Sequence, residues 1–243
     1  MEWREKAIIL GAKRHGETSA IVEVLTRDHG RHAGLVRSGR SKRMRPVLQQ
    51  GNIVEVNWRA RLEEHLGSFT IEPVSMNAAL VMDDAMRLAG LTTLTALCAL
   101  LPDREPHADI YDATRLILAN IENDDVWPAL LVRWEAGLLD CLGFGLDLSQ
   151  CAATGQTTDL IYVSPKSSRA VSAGAGEPYK TRLLALPGFL IGSGAASTAD
   201  LLDGFALTGY FLHRHLCGPR GTELPDSRER LLGYLKIKPD IEE

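Results

Sequence analysis

The sequence has few cysteines, and their spacing excludes the commonest zinc-binding motifs. Four cysteines stand at positions 98, 141, 151 and 217 of the 243 residues, and no two of them form a C-x-x-C pair. Cys98 lies in an apolar helical stretch typical of a core, and no further cysteine between 152 and 216 completes a four-ligand site with Cys141 and Cys151. His213 and Cys217 are one helical turn apart and form at most a half-site. We therefore predict no metal; the residues that could still hold one are Cys141, Cys151 or the His213/Cys217 pair.

The sequence also lacks a long hydrophobic run. The longest apolar stretch, residues 88–101, is interrupted by three threonines and is shorter than the roughly 20 residues that a membrane-spanning helix needs. The first residues, MEWREKAIIL, carry both charge signs and no small-residue cleavage site, unlike a signal peptide. We expect a cytoplasmic protein with reduced thiols and no membrane partner.

Motifs that carry catalysis are missing as well. The sequence contains no P-loop, no G-x-G-x-x-G after a strand, no H-E-x-x-H and no G-x-S-x-G. The neighbouring acids Asp83/Asp84 and Asp124/Asp125 diverge on a helix, so they predict helix N-terminal charges rather than an acid/base dyad. We predict no catalytic residue, no cofactor and no enzymatic activity.

The first part of the chain has the pattern of a small β domain. Five short segments rich in β-branched residues, separated by glycines, occur within residues 1–75. This density of strands predicts a five-stranded OB-fold barrel over residues 1–78, with an SH3-like barrel as the alternative.

The periodicity becomes helical from Met76 onward. A continuous apolar helix up to Pro102 is followed by a second amphipathic helix and a third that has Pro128 in its first turn. Two more helices are predicted after a looser stretch, the first of them capped by Ser197 or Thr198. The chain thus predicts an α+β multidomain fold: the barrel, then a helical domain over 79–243 with an irregular insertion at about 146–187.

Charge is distributed unevenly along the chain. Residues 1–75 contain 13 Lys and Arg against 9 Asp and Glu, whereas residues 76–243 contain 14 against 22. The segment GLVRSGRSKRMRP, residues 34–46, has five cations and no acid. A basic, glycine-punctuated connection between strands can follow a phosphate backbone and release its counterions. The candidate nucleic-acid contacts are Lys13, Arg14, Arg31, Arg37, Arg40, Lys42, Arg43, Arg45, Arg59 and Arg61.

Aromatic side chains are scarce in this region. Trp3, Trp58 and Phe69 are the only aromatic rings of Phe, Tyr or Trp in residues 1–75. Base stacking by Trp58 is possible in principle, but its phase with Val54 and Val56 favours core packing. The pattern predicts electrostatic binding without sequence preference.

A series of motifs resembles the bacterial RecO family of recombination mediators. The resemblance includes GETS at 16–19, the T-x-x-x-G turn at 26–30, the segment from Val36 to Ser41 that contains Gly39 and Arg40, the Leu48-Gln49 step, and the junction GLLDCLGFGLDLSQCAATG at 137–155. It spans most of the chain and is more specific as a series than in any single motif.

The resemblance implies a function beyond what composition shows. Members have an N-terminal OB-fold and a helical domain, bind single- and double-stranded DNA, anneal complementary strands and, with RecR, help load RecA onto DNA coated by single-strand-binding protein. It implies a nucleoid-associated location and DNA contacts at Arg37, Arg40, Lys42, Arg43 and Arg45.

The resemblance also bears on the helical domain. In some members that domain binds the acidic tail of the single-strand-binding protein, and the candidate cations for such a pocket here are Arg115 and Arg133. Many members hold zinc through two C-x-x-C pairs in the insertion. Here only Cys151 remains, with Thr154 at the next cysteine position, so a zinc function should not be inherited.

Two other functions compete with DNA mediation. The basic stretch could bind an acidic protein surface, which would make the chain an adaptor. An enzyme that uses His213 and Cys217 is a more distant alternative.

Overall fold

The computed structural model describes residues 1–192 and 194–237. The chain divides into two compact units, Met1–Glu122 and Asn123–Glu243. The first unit contains a five-stranded sheet with helices packed on it, and the second is mainly helical with a small sheet. The predicted combination of an N-terminal β part with a later helical part is therefore confirmed.

Five strands of the first unit form one sheet that closes on itself. They are β1 (Glu2–His15), β2 (Ser19–Thr26), β3 (Arg31–Val36), β4 (Ile53–Arg59) and β5 (Ser68–Ser75). Their order is β1-β2-β3-β5-β4, with β4 also paired to β1. All pairs are antiparallel except β3 with β5, which meet in parallel at Leu35 and Ser68.

The alternation of side chains explains the closed sheet. In β2 and β4, every second residue is buried, and these buried positions meet those of β1 in one core that includes Ile9, Val22, Val24, Val56 and Trp58. Strands whose side chains alternate between a buried and a solvated face need a closed or covered sheet to bury the apolar face.

Two strands of this sheet extend beyond their apolar runs. The first begins at Glu2: Trp3 and Glu5 are partly buried, whereas Glu2, Arg4 and Lys6 are exposed. The fifth continues past Pro73, which lies opposite Val54 beside a register shift. A strand tolerates a proline at such an irregularity because no regular ladder hydrogen bond is lost there.

Four helices complete the first unit. They are α1 (Met44–Val47), α2 (Asn77–Val81), α3 (Ala85–Cys98) and α4 (Ala108–Ala119). The single apolar helix predicted after Met76 is interrupted, because the Asp84 carboxylate accepts a hydrogen bond from the Arg87 N–H at 2.9 Å and starts α3. The prediction that Asp84 marks a helix N-terminus is thus confirmed.

The second unit is built on two long helices and one small sheet. Its elements are α5 (Trp127–Cys141), β6 (Leu160–Val163), β7 (Ala170–Ser172), α6 (Ala173–Gly176), β8 (Leu184–Ala185), α7 (Thr198–Leu212) and α8 (Asp226–Ile237). Pro128 lies in the first turn of α5, as predicted. Ser197 forms a capping box with Asp200 at the start of α7. The insertion is more regular than predicted, since β6, β7 and β8 form a three-stranded sheet.

A buried ion pair joins three helices of the second unit. The guanidinium of Arg228 on α8 donates to both carboxylate oxygens of Glu135 on α5, each at 2.8 Å, and to the Phe205 carbonyl of α7 at 2.6 Å. Thr208 of α7 also donates to Glu135. Glu135 is fully buried and the Arg228 side chain is 5% exposed, so each charge depends on the other for its solvation.

The helices of the described residues have one further property in common. None of them combines the length and the apolar character that crossing a membrane requires.

Candidate nucleic-acid interface

The strand register places distant cations at one end of the closed sheet. Lys13 of β1 pairs with Ile21, Ile21 with Leu35, Leu35 with Ser68, and Ser68 with Arg59 of β4. Neighbouring strands are about 4.8 Å apart, so the ends of β1 and β4 each lie about 10 Å from Leu35. From the sequence alone, these strand ends could only be suggested as neighbours; the strand register shows that each lies two strands away from Leu35.

The basic stretch follows directly from this row of residues. Arg37 comes two residues after Leu35, and residues 37–43 form turns that lead into α1. Val47 and Leu48, at the end of that helix, are buried in the core of the closed sheet. The stretch is therefore folded and anchored at both ends, whereas the sequence suggested a flexible connection.

Arg40 fastens the stretch to the turn between β1 and β2. Its main-chain N–H donates to the Thr18 carbonyl at 3.0 Å, and its guanidinium donates to the carbonyls of Gly16 at 3.0 Å and Glu17 at 2.6 Å. Beside it, Ser38 has a φ of +56° and lets the chain reverse. The sequence showed a cation at position 40 but could not show that its hydrogen bonds are made within the chain.

Three other cations of the predicted set also have partners. The Arg45 Nε donates to the Arg40 carbonyl at 3.1 Å, and the Arg59 Nε lies 4.0 Å from Glu2. Arg31 stands at the opposite end of β3, with 19% of its side chain exposed, and it binds Glu23 together with Asp103, the latter at 2.7 Å. Arg31 is thus held by ion pairs inside the first unit.

Six cations of the set are exposed and have no hydrogen-bond or ion-pair partner among residues 1–192 and 194–237. They are Lys13, Arg14, Arg37, Lys42, Arg43 and Arg61. Uncompensated cations of this kind give a surface the positive potential that attracts polyanions.

The aromatic residues of the first unit are mostly internal. Trp58 is 1% exposed and Phe69 is 4% exposed, and the Trp58 indole donates to the Leu66 carbonyl at 3.0 Å. The prediction that Trp58 packs in the core is confirmed, and neither of these two rings is available for stacking on a base.

The two predicted partner-binding cations belong to different compact units. Arg115 is exposed on α4. Arg133 on α5 donates to the Phe189 carbonyl at 2.6 Å, and its guanidinium carbon lies 5.9 Å from the centre of the Phe189 ring.

Cys151 lies in a turn that the chain's own hydrogen bonds hold. Its sulfur accepts from the Ser172 main-chain N–H at 3.3 Å and from the Ser172 hydroxyl at 3.4 Å. Its own N–H donates to the Gln156 carbonyl at 2.7 Å. Burial opposes ionisation of the thiol, but the hydrogen bonds from Ser172 and Thr154 outweigh it and lower its pKa to about 6.

The residues around Cys151 do not fit the zinc site that the resemblance implies for many members. Thr154 and Ser172 supply hydroxyl donors where a tetrahedral site needs thiolate or imidazole ligands. Across the described ranges, no group of three or more His, Cys, Asp or Glu side chains is placed to hold a metal. His213 instead lies 3.3 Å from Glu223, and burial raises the pKa of the Cys217 thiol.

The hydrogen-bonded thiolate should make stability depend on pH. The pKa of Cys151 is about 6 in the folded chain against an ordinary 9.0, so between these values the folded state holds a thiolate and the unfolded state a thiol. The free energy of unfolding should then rise as pH increases across this window, and the stability that the thiolate contributes should be lost as pH falls. Urea unfolding of the unaltered chain and of Cys151→Ser across the window should give a difference that grows with pH; a constant difference would contradict the thiolate.

Comparisons with known proteins agree with this architecture. One family model, described as Recombination protein O N terminal, matches residues 1–77, and another, Recombination protein O C terminal, matches residues 82–223. The DNA repair protein RecO of Mesorhizobium japonicum is 54% identical over 238 residues, which cover 97% of this chain and 94% of that protein. A protein of the same name from Rhizobium etli is 55% identical over 231 residues, which cover 94% of this chain and 90% of that protein. Another from Methylorubrum extorquens is 48% identical over 239 residues, which cover 96% of this chain and 97% of that protein.

The two family models and the relatives named DNA repair protein RecO support a role in DNA repair and recombination. The chain belongs to the RecO family. The two family models meet near residue 80, whereas the first compact unit extends to Glu122 and includes α3 and α4. The boundary at residue 78 therefore stays a prediction.

Proposed function

We propose that this chain is a non-catalytic mediator of DNA repair and homologous recombination. Its closed sheet is an OB-fold that binds single- and double-stranded DNA without sequence preference and anneals complementary strands. With RecR, the protein helps load RecA onto DNA coated by single-strand-binding protein, and it acts in the cytoplasm on the nucleoid. Membership of the RecO family supports this assignment.

The observation that carries the proposal is the set of six unpaired cations on and beside the row of paired residues that runs from Lys13 through Leu35 to Arg59. The register places Lys13 and Arg14 on one side of Leu35 and the end of β4 on the other, with Arg37, Lys42 and Arg43 following the row. Phosphates that meet such cations release condensed counterions, whatever the base sequence.

Annealing follows from the same surface. Two DNA strands repel each other, and a positive surface that contacts both backbones lowers that repulsion. Because Trp58 and Phe69 are buried, they do not engage the bases, which stay free to pair with the complementary strand.

Binding to two oligonucleotides of unrelated sequence at increasing salt tests the proposal. Six phosphate contacts on a single strand predict a slope of log K against log salt of about −4, at about 0.7 per contact. The two oligonucleotides should give the same slope and similar affinities. An annealing time course, with and without single-strand-binding protein, should show acceleration by the chain. Affinity that does not change with salt would contradict phosphate binding.

The adaptor function remains the second candidate, because the same exposed cations would also attract an acidic protein surface. Under it, an acidic peptide would displace DNA from the basic surface at lower concentration than a competing oligonucleotide does. Arg115 and Arg133 remain our candidates for binding the acidic tail of the single-strand-binding protein. Each should be replaced singly in the full chain rather than tested in an isolated helical fragment. Such a fragment would divide the first compact unit, because α4, which carries Arg115, belongs to the same unit as the sheet.

A further inference from the structure

The first unit contains a cavity beside the N-terminal Met1, whose amino group donates to the carbonyl of Ala60, the residue before the unpaired Arg61. Its volume is about 480 Å³. Four aromatic rings line it, those of Trp3, His29, His32 and Trp58. Charged residues also line it: Glu2, Asp28, Glu63, Arg104 and the N-terminal Met1.

The aromatic wall is held in place before anything binds. Trp3 stacks on His29 with ring centres 4.3 Å apart and an interplanar angle of 11°, and it lies 5.8 Å from Trp58. The Glu5 carboxylate accepts hydrogen bonds from the N–H groups of Arg27 and Asp28 at 2.8 and 2.9 Å, and it lies 2.8 Å from His29 Nδ1. A wall fixed in this way loses little conformational entropy on binding.

The inner side of the cavity carries no charge of its own. His32 is 4% exposed, and its Nδ1 lies 3.1 Å from the Ala33 carbonyl, to which it donates. Burial lowers the pKa of His32, with Arg104 contributing in the same direction. The inner side is therefore formed by the buried rings of His32 and Trp58, behind the partly exposed rings of Trp3 and His29.

The cations at the cavity are already engaged. Arg104 donates to the carbonyls of Glu63, Glu64 and His65, and the amino group of Met1 donates to the Ala60 carbonyl at 2.8 Å. The Arg104 bonds also fasten the loop between β4 and β5, which contributes Glu63 to the lining of the cavity.

The carboxylates at the cavity are less fully engaged than the cations. Glu2 contacts Asn57 at 3.1 Å and Arg59 at 4.0 Å, and Asp28 lies 3.7 Å from Arg27. The carboxylate of Glu63 has no partner within the described ranges, and the residue is exposed. The edge of the cavity thus has acceptor capacity for an incoming cation.

We propose that this cavity receives an arginine or lysine side chain from a partner protein. Such a side chain has an apolar stem, which packs along ring surface, and a cationic end, which binds carboxylates. Arginine in a preformed pocket is also a frequent energetic centre of protein interfaces. A nucleotide fits less well, because its phosphate would approach three carboxylates.

A short peptide with one central arginine, acetylated and amidated at its ends, tests the proposal on the full-length chain. The control peptide carries citrulline, the uncharged analogue of arginine, at the same position. Indole N–H signals in NMR spectra distinguish the four tryptophans. We expect the arginine peptide at millimolar concentration to shift the signals of Trp3 and Trp58 but not those of Trp127 and Trp134, and we expect the citrulline peptide to shift none.

Two neighbouring glutamates provide matched variants. Glu63→Gln should weaken arginine-peptide binding about two- to fivefold, the effect of losing an exposed ion pair. Glu64→Gln should leave it unchanged, because Glu64 is exposed on the same loop but does not line the cavity.

Three results would overturn the proposal. The first is equal binding of the citrulline peptide, and the second is equal weakening by Glu63→Gln and Glu64→Gln. The third is a larger shift of Trp3 and Trp58 with deoxyadenosine monophosphate than with the arginine peptide, which would assign the cavity to a nucleobase. None of these results depends on DNA binding by the basic end of the sheet.

Discussion

Replacing Arg37, Lys42 and Arg43 together by alanine should make the salt dependence of single-strand DNA binding shallower by about two units, at about 0.7 per lost contact. Between about 0.1 M and 1 M salt, the affinity of the variant should therefore change by about two orders of magnitude less than the affinity of the unaltered chain. Oligonucleotides of unrelated sequence should lose affinity equally, because phosphate contacts carry no base information. Fluorescence anisotropy over a salt series measures both quantities.

A matched variant separates this effect from a general loss of charge. Lys166, Arg182 and Arg230 are exposed cations of the second unit, and their joint replacement by alanine should leave the slope unchanged. Both triple variants should keep the free energy of unfolding within about 0.5 kcal/mol of the unaltered chain per substitution, as exposed positions do. An unchanged slope in the first variant, with an intact fold, would favour the adaptor function.

The choice of these three cations rests on the structure. Arg40 binds the carbonyls of Gly16 and Glu17, so its removal would disturb the turn as well as the charge. Arg37, Lys42 and Arg43 have no such bonds within the described part of the chain, and their removal changes charge alone.

The second large effect is expected at the buried ion pair of the second unit. Arg228→Met should lower the free energy of unfolding by about 3–5 kcal/mol, because it leaves the Glu135 carboxylate buried without a counter-charge. Urea unfolding measures the loss. Hydrogen exchange should locate it in α5, α7 and α8, the three helices that the pair joins.

Two further variants test the cause. Arg230→Met lies on the same helix at an exposed position and should change the free energy of unfolding by no more than about 0.5 kcal/mol. The double replacement of Glu135 by Leu and Arg228 by Met removes both charges and should recover most of the loss. A double variant as unstable as Arg228→Met would point to packing rather than to the unpaired charge.

Local pattern was sufficient to predict most of the secondary structure. The alternation in β2 and β4, Pro128 at the start of α5 and the cap at Ser197 are visible in short windows of sequence, and the structure confirms them. The break between α2 and α3 was missed because apolar residues continue through it; only the Asp84 cap marks it.

Contacts between distant residues limited the prediction of the site. The sequence identified ten cations but not which of them the chain itself binds, since Arg31 meets Asp103 across 72 positions and Arg40 meets Gly16 across 24. The pairing of Glu135 with Arg228 spans 93 positions. The aromatic cavity combines Trp3, Trp58 and the segments near positions 29 and 104, which no local motif connects.

Under the proposed function, the bond between Arg40 and the β1–β2 turn would affect the rate of encounter with DNA. A tethered, mobile loop would have to be immobilised as it meets each phosphate, at a cost of about 0.5–1.5 kcal/mol for each ordered side chain and more for its main chain. Here the Arg40 hydrogen bonds hold the main chain of this stretch, so only side chains would remain to be ordered on binding. Under the proposed function, this would let the protein exchange many short-lived phosphate contacts quickly, so that two strands could slide past each other until their bases match.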